Sequence, residues 1–347
     1  MAKQSDARVK IGVVGCGGVS QIIHLPFLSQ MPDVNLTAIC DVDARKASVL
    51  ADRFRIPNVF DDIDLMLNSC DLDAVFILTP NSLHLPMALL SLHHGKHVFL
   101  ERPAGRNLEE TRRIAEAAGK SGKGVMIGMH TRFRPDLVAV HQFVEQKRFG
   151  EVFFIKAEWL QAKFQALKEP WHLSKGVAGG GVVLDLGLQL IDTAWWITGF
   201  PEIESVKAHS QQINHDLEVE DFCSFYMRFN NGLKLACHVS WNFPIPSDRF
   251  HGEIFGESGA CSLNPFKINR IWQGKELDVT PMVDTDGKVL FRKAYQSEIR
   301  HFIDFVKGRF ETPSSDINQA VKVMEMIEWV YRSLDSNREI RRESPRR

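Results

Sequence analysis

A glycine-rich turn between an apolar run and a helical pattern constrains this chain more than any other feature. The apolar run covers residues 9–15, and Gly-Cys-Gly-Gly-Val-Ser occupies residues 15–20. This is a G-x-G-x-x-S variant of the dinucleotide fingerprint. Gly15 permits a tight turn, Gly17 lets a pyrophosphate approach the backbone, and Ser20 is small enough for close packing of helix on strand. The pattern predicts a phosphate-binding turn at the start of a helix.

The amides of this turn, including that of Gly18, would face the phosphates, because a helix N-terminus favours negative charge. An acid at the end of the second predicted strand completes the fingerprint. Asp41 follows Ser20 by about twenty residues, where a ribose ligand is expected. Its carboxylate would accept hydrogen bonds from ribose hydroxyls and repel a 2′-phosphate. We therefore predict NAD in preference to NADP, although nearby Arg45 would weaken this preference.

The first third of the chain alternates short apolar runs with helical patterns. Such alternation is typical of a parallel sheet with helices on both faces. The predicted strands are residues 9–15, 34–41, 74–79, 97–100 and 125–128. The predicted helices between them include residues 43–55, 82–94 and 108–121.

The pattern changes near residues 128–135. After a predicted helix at residues 136–147, longer alternating segments indicate strands with two different faces. These segments are residues 151–161, 204–214, 221–229 and 233–243. The dipeptide Asn231-Gly232 between the last two is a good hairpin turn. This half is predicted to contain a mainly antiparallel sheet, closed by helices at residues 297–307 and 317–334.

The length of 347 residues fits about two domains. We expect a dinucleotide-binding domain at residues 1–130 and a substrate-binding and oligomerisation domain at residues 131–347. The formal net charge of -1 provides no field that would attract nucleic acid or acidic lipid. The apolar stretch at residues 179–200 contains Asp185 and Gln189, so we interpret it as a buried helix and not as a membrane span.

The cysteine spacing and the N-terminal residues indicate the cellular compartment of the protein. The six cysteines form no C-x-x-C pair, so the sequence predicts neither a disulfide framework nor a metal site. Residues 1–10 are polar and lack an apolar signal-like core. Both observations favour a cytoplasmic protein. We expect its substrate to be a small molecule.

The order and spacing of several short motifs resemble the Gfo/Idh/MocA oxidoreductases, the family that contains glucose–fructose oxidoreductase and inositol dehydrogenase. The resemblance covers nearly the whole chain. After the glycine turn, the motifs are His24-Leu25-Pro26, Thr79-Pro80-Asn81 with His84, Gly95-Lys96-His97-Val98, Glu101-Arg102-Pro103, Gly179-Gly180-Gly181, Asp185-Leu186-Gly187 and Gly259-Ala260.

The resemblance implies an N-terminal Rossmann domain of the α/β class and an α+β C-terminal domain with a mainly antiparallel, open-faced sheet. It implies that the outer face of this sheet supports a homodimer or homotetramer. Thr79, Asn81 and His84 would lie along the cofactor near its ribose and pyrophosphate. Glu101 would lie near the nicotinamide ribose, and Arg102 would also belong to the cofactor site. The bond from Arg102 to proline is cis in several relatives.

Two positions depart from the family pattern. Family members usually carry Glu-Lys-Pro and Asp-x-x-x-His, whereas this chain has Arg102 and Gln189 at the lysine and histidine positions. Arginine is always protonated and glutamine does not titrate, so neither can act as a general base. Arg102 can still polarise a carbonyl, stabilise an oxyanion or clamp a carboxylate or phosphate. Gln189 can hydrogen-bond substrate, and Asp185, one helical turn earlier, can accept a bond from the Gln189 amide.

Three explanations of these departures are open. The protein can use another proton donor, for which His172, Lys175 and His130 are candidates. The chemistry can require less proton handling, as in reduction of an activated double bond or imine. Alternatively, the site has lost turnover and keeps only cofactor binding, as a regulator or sensor would. The residues favour an active oxidoreductase acting on a sugar, polyol, sugar acid or related carbonyl compound.

Overall fold

The computed structural model describes residues 8–162, 170–214 and 217–343. The chain divides into two compact units. The first contains Met1–Met129 and Tyr295–Val321, and the second contains His130–Ala294 and Lys322–Arg347. The boundary between the two units at residue 130 lies where the sequence pattern changes. Residues 295–321, however, return to the first unit, so the second is not one continuous segment.

The first unit contains a six-stranded parallel sheet. Its strand order is β3-β2-β1-β4-β5-β6, with β1 in the middle of the order beside β2 and β4. The central strands β1 and β4 are largely buried on both faces, which explains their mainly apolar sequences. The strands are β1 Val9–Val14, β2 Val34–Cys40, β3 Asn58–Phe60, β4 Ala74–Ile77, β5 His97–Leu100 and β6 Val125–Ile127.

Helices follow the strands of this sheet. A π-helical turn at Ser20–His24 leads into the first α-helix, and side chains cap three of the later helices. Asp43 caps α2 by accepting a hydrogen bond from the Lys46 amide, and Asn107 caps α5 through the Glu110 amide. The helices are α1 Leu25–Leu28, α2 Ala44–Phe54, α3 Ile63–Ser69, α4 His84–His93 and α5 Leu108–Ser121, with a 3₁₀ turn at Asn81–Leu83.

The second unit contains a nine-stranded sheet in the order β14-β13-β12-β11-β7-β10-β9-β8-β15. Its strand pairs are antiparallel, except that β10 runs parallel to β7. The strands are β7 Val152–Leu160, β8 Ile203–Gln211, β9 Phe222–Phe229, β10 Lys234–Ser240, β11 Arg249–Gly256, β12 Gly259–Leu263, β13 Lys267–Trp272, β14 Lys275–Asp278 and β15 Ile340–Arg341. One face packs against helices, since alternate residues of β9 and β10 are buried.

The remaining helices are α6 Pro135–Glu145, α7 Lys175–Ala178, α8 Leu188–Ile197, α9 Gly287–Val306 and α10 Ile317–Ser336. A π-helical turn at Val183–Gly187 precedes α8, and 3₁₀ turns occupy His130–Phe133 and Pro170–Leu173. The stretch Lys175–Ile197 is long and apolar enough to cross a membrane, with mean hydropathy 1.3, but 78% of its most apolar window is buried inside the protein. Its helical part from Val183 to Ile197 is largely buried in the protein core, as expected from its polar residues.

The predicted fold class is confirmed: a Rossmann α/β sheet accompanies a separate, mainly antiparallel sheet with helices. The hairpin at Asn231-Gly232 joins β9 to β10, and Gly232 has φ +87°. The prediction for α9 was wrong at its start, because the helix begins at Gly287 and not at residue 297. Strand β3 and the strands from β11 onward were not predicted.

Candidate functional site

The turn after β1 has the geometry that its glycines suggested. Gly15 has φ +98°, and a Cβ there would lie 2.6 Å from the carbonyl oxygen of Leu78. Only glycine meets both conditions without strain. The Gly15 amide donates to the Cys40 carbonyl at 2.8 Å, which fixes the turn against the end of β2. The carboxyl ends of β1, β2 and β4 therefore meet at this turn.

The next two glycines leave an open approach to the backbone. Among the described residues, a Cβ at Gly17 or Gly18 would meet no atom within 4 Å. Ser20 is fully buried, and its hydroxyl has no hydrogen-bond partner within the described chain. The beginning of the helix thus combines unobstructed backbone with the positive end of a helix dipole, which suits a pyrophosphate.

Asp41 lies directly beyond β2, beside the turn. Its Oδ2 accepts a hydrogen bond from the Cys16 amide at 2.6 Å, and its Oδ1 accepts one from the Asp43 amide at 2.9 Å. Burial and the neighbouring Asp41 charge raise the pKa of the Cys16 thiol to about 12, so the thiol stays protonated. Two amides therefore orient a carboxylate at the position expected for a ribose ligand.

Three predicted cofactor residues follow β4. The buried hydroxyl of Thr79 has no hydrogen-bond partner in the described residues, and Asn81 is 7% exposed. The His84 ring is fully buried, with Nδ1 2.7 Å from the Pro103 carbonyl oxygen and Nε2 2.9 Å from that of Thr79. Burial lowers the pKa of His84. His84 thus links the Pro103 backbone to that of Thr79, and its position along the cofactor stays a prediction.

Glu101 directly follows β5 and pairs with His24, at the end of the π-helical turn Ser20–His24. Its Oε1 lies 2.7 Å from Nε2 of His24, which is fully buried. The His24 ring also packs edge-on against Phe76 and Phe99, with ring centroids 5.7 and 5.2 Å away. The pair joins two segments that are 77 residues apart in the chain. His24 was part of the family resemblance, but no role was predicted for it.

Arg102 follows Glu101, and its bond to Pro103 is cis. The Arg102 amide donates to Oε2 of Glu101 at 3.3 Å. Glu298 of α9 is fully buried nearby, and its carboxylate oxygens have no hydrogen-bond partner of normal geometry among the described residues. Burial, followed by the charge of Glu101, raises the pKa of Glu298 well above its usual range, and the Arg102 charge lowers it only in part.

The second unit brings Asp185 and Gln189 together, but differently from the prediction. The Gln189 side-chain amide donates to the backbone carbonyl of Asp185 at 3.1 Å, and not to its carboxylate. The carboxylate instead accepts a hydrogen bond from the Trp241 indole N–H at 2.8 Å. Four-residue spacing on a helix favours the backbone contact, since a donor side chain reaches back to the preceding turn. Gln189 is 1% exposed, and its Oε1 lacks a partner in the described chain.

The three candidate proton donors occupy different surroundings. His172 lies in the 3₁₀ turn at Pro170–Leu173 and stacks on Trp171, with ring centroids 3.5 Å apart. His130 is 5% exposed and packs edge-on against Phe291. Lys175 is exposed, and its backbone amide donates to a carboxylate oxygen of Glu218. His172 is therefore the imidazole among these candidates that retains partial access to solvent.

The residues of the first unit fit a bound dinucleotide. The open backbone at Gly17 and Gly18, the oriented Asp41 carboxylate and the unpartnered Thr79 hydroxyl supply contacts for phosphates and ribose. These features define an oxidoreductase-type dinucleotide domain joined to a sheet domain.

Family profiles agree with this assignment. The profile of the oxidoreductase family with an NAD-binding Rossmann fold matches residues 9–129, and that of the GFO/IDH/MocA C-terminal domain matches residues 137–262. The chain belongs to the Gfo/Idh/MocA family, and its cofactor is NAD.

Individual relatives are similar over nearly their whole length. D-glucoside 3-dehydrogenase of Escherichia coli (strain K12) is 25% identical, with 96% of this chain and 97% of that protein covered. The NAD(+)-dependent scyllo-inositol 2-dehydrogenase of Bacillus subtilis (strain 168) is 22% identical, with 92% of each covered. The crystal structure of GenD2 from gentamicin A biosynthesis, in complex with NAD, is 25% identical, has a TM-score of 0.84 and covers 97% of each chain.

Proposed function

We propose that this protein is an NAD-dependent dehydrogenase that acts on a sugar, polyol, sugar acid or related small carbonyl compound. The observation that carries the proposal is the Asp41 carboxylate, held by the Cys16 and Asp43 amides beside the open glycine turn. When bound, the nicotinamide supplies the hydride acceptor or donor. Further support comes from relatives named as dehydrogenases of a glucoside and of an inositol.

NAD is proposed to be preferred over NADP because two backbone amides already orient the Asp41 carboxylate. A carboxylate accepts hydrogen bonds from the ribose hydroxyls, but it repels a 2′-phosphate. Arg45, in the first turn of α2, is exposed and is the nearby cation expected to reduce that repulsion.

Arg102 is proposed to act as an electrophile or anion clamp. A guanidinium donates up to five hydrogen bonds in a planar fork and does not release a proton at neutral pH. It therefore suits a substrate that carries a carboxylate, which it would hold at two points. The protein is accordingly proposed to prefer acidic substrates, such as sugar acids, over neutral polyols.

In the second unit, Asp185 is proposed to orient substrate, with its carboxylate held by the Trp241 indole. Gln189 is proposed to hydrogen-bond substrate through Oε1, the buried acceptor left free after its amide donates to the Asp185 backbone. His172 is the proposed proton-handling group, because imidazole titrates near neutral pH. None of these groups repeats the family's lysine and histidine pair.

The proposal is tested by following the reduced-nicotinamide absorbance band with NAD and matched pairs of sugars and sugar acids. Turnover with faster reaction of the acids is expected. Arg102→Lys should raise the KM for acids more than that for neutral sugars, because lysine cannot make the two-point contact. Arg53→Lys, which makes the same replacement at an exposed arginine on α2, is the matched control. NAD binding without turnover on any compound would refute the enzyme assignment, and an unchanged KM for acids in Arg102→Lys would refute the clamp.

We also propose a cytoplasmic homodimer or homotetramer that associates through the outer face of the second sheet. Support for the compartment comes from the six cysteines, all of which are free. On the outer face, Phe154 and Phe255 stack with centroids 6.0 Å apart, and Tyr226 is 39% exposed. Sedimentation velocity should give a dimer or tetramer that Tyr226→Lys dissociates, whereas Val49→Lys on exposed α2 should not. A monomeric wild-type protein would contradict this proposal.

A further inference from the structure

One part-buried carboxylate accepts hydrogen bonds from the helix that carries Asp185 and Gln189. Oε1 of Glu220 accepts hydrogen bonds from the Gly181 and Val183 amides, both at 3.1 Å. Oε2 lies 3.2 Å from the same Gly181 amide, and the Glu220 backbone carbonyl accepts from the Val182 amide at 2.9 Å. One residue thus satisfies three consecutive amides.

These amides are the ones that a helix leaves without internal partners at its N-terminus. Val182 precedes the π-helical turn Val183–Gly187 and provides no side-chain cap. Glu220 supplies the missing acceptor from a distant part of the sequence, and its carboxylate lies at the positive end of the helix dipole. It therefore fixes where this helix begins.

Tyr331 completes the arrangement from α10. Its hydroxyl donates to Oε1 of Glu220 at 3.0 Å, and burial raises the pKa of Tyr331 well above its usual range, so it remains a donor. These two residues explain two glycines of the triplet, Gly180 and Gly181. A Cβ at Gly180 would lie 2.1 Å from the Tyr331 hydroxyl oxygen, and one at Gly181 would lie 2.0 Å from the Glu220 carbonyl oxygen. Any side chain at either position would displace the carboxylate and its donor.

The contacts around Glu220 converge on Asp185 by two routes. The Asp185 amide donates to the Gly181 carbonyl at 3.1 Å, so the capped turn places its backbone. The Trp241 amide donates to the carbonyl of Asp221, the residue after Glu220, at 2.9 Å, while the Trp241 indole donates to the Asp185 carboxylate. The backbone and the carboxylate of Asp185 are therefore both positioned from the Glu220-Asp221 segment.

We propose that Glu220, supported by Tyr331, is a positioning residue that sets the conformation of Asp185 and of the helix turn leading to Gln189. The inference rests on the proposed function, because it assumes that Asp185 and Gln189 handle substrate. It assigns a role to Gly180 and Gly181 as well: they allow the carboxylate and its donor to approach the helix.

The test compares Glu220→Ala, Glu220→Gln and Tyr331→Phe with Glu218→Ala, a control at the exposed glutamate two residues away. Glu220→Ala should lower kcat by about 10²-fold, since small misplacements of substrate-orienting groups cost about that much. NAD affinity should not change, because the cofactor residues belong to the other unit. Glu220→Gln keeps one carbonyl acceptor for the Gly181 and Val183 amides and should restore most of kcat.

A second readout does not require turnover. The indole N–H resonance of Trp241, assigned with Trp241→Phe in a ¹⁵N-labelled protein, reports the bond to Asp185. It should shift in Glu220→Ala and less in Tyr331→Phe, and it should stay in place in Glu218→Ala. If Glu220→Ala does not fold, Tyr331→Phe and Glu220→Gln are compared with wild type and Glu218→Ala instead.

An unmoved indole resonance and an unchanged kcat in the folded variants would overturn the positioning role. A shifted resonance in a protein that shows no turnover would instead support the positioning of Asp185 and refute the proposed activity. The two failures are therefore distinguishable.

Discussion

Replacing Asp41 tests how this fold discriminates between the two dinucleotides. The Asp41 carboxylate accepts hydrogen bonds from the Cys16 amide at 2.6 Å and the Asp43 amide at 2.9 Å, so it is oriented before any ligand arrives. Asp41→Ser removes the charge and shortens the side chain. Two consequences are expected: weaker binding of NAD and easier binding of NADP.

The magnitude follows from the hydrogen bonds that are lost. A hydrogen bond to a charged group contributes about 1.5–3 kcal/mol. Because about 1.4 kcal/mol corresponds to a tenfold change in Kd, loss of the ribose contact should weaken NAD binding by about 10- to 100-fold. The same change removes the repulsion of a 2′-phosphate, so the ratio of NADP to NAD affinity should rise by about 10²-fold.

The assay is calorimetric titration of each variant with NAD and NADP at one fixed ionic strength. Asp43→Asn is the matched control, because it removes a neighbouring charge while asparagine still caps α2. Asp43→Asn should leave the ratio of NADP to NAD affinity nearly unchanged. An Asp41→Ser protein that keeps its NAD affinity and still rejects NADP would refute the assignment of Asp41 as the ribose ligand.

Three further predictions concern the cofactor turn and the buried charges. Gly17→Val should abolish NADH binding at an unchanged Tm, because a side chain there meets no atom of the described residues but occupies the space predicted for the pyrophosphate. Retained NADH binding would count against that position of the pyrophosphate. Asp192→Leu should lower the free energy of unfolding in urea by about 3–5 kcal/mol, because it removes the carboxylate that pairs with the buried Arg132 guanidinium. Adding Arg132→Met should recover most of the loss; equal stabilities of Asp192→Leu and wild type would argue against the pair. The pKa of Glu298 is raised in the folded state, so its contribution to stability is present at acidic pH and is lost as pH rises through that pKa. Glu298→Gln should therefore have a higher Tm than wild type at alkaline pH and the same Tm near pH ~4. A constant difference in Tm between the two proteins across this pH range would contradict the prediction.

Much of the first unit was predictable because its strands are buried on both faces. The apolar run of β4, and that of β1 apart from Lys10, favour central parallel strands. The missed strands lack such a signal. Strand β3 has three residues, and β14 is exposed along its whole length, so neither presents an apolar pattern. Pairing with a neighbouring strand, and not local composition, makes these segments extended.

The residues of the candidate site also fall into those that the sequence predicted and those that it did not. The glycine turn and Asp41 were predicted because their spacing along the chain reflects local strand–turn–helix geometry. The partners of Asp185 were not, because Trp241 lies 56 residues away from it in the chain. The pairing of His24 with Glu101 spans 77 residues, and only the fold brings them together. Contacts of this kind leave no periodic signal in a single sequence.

Calorimetric titration of the wild-type protein with NAD, NADH, NADP and NADPH tests the central claim most directly. The account predicts saturable association of NAD and NADH at one site per chain, and weaker association of the phosphorylated pair. Absence of measurable heat with all four dinucleotides, repeated at two temperatures, would contradict the functional assignment.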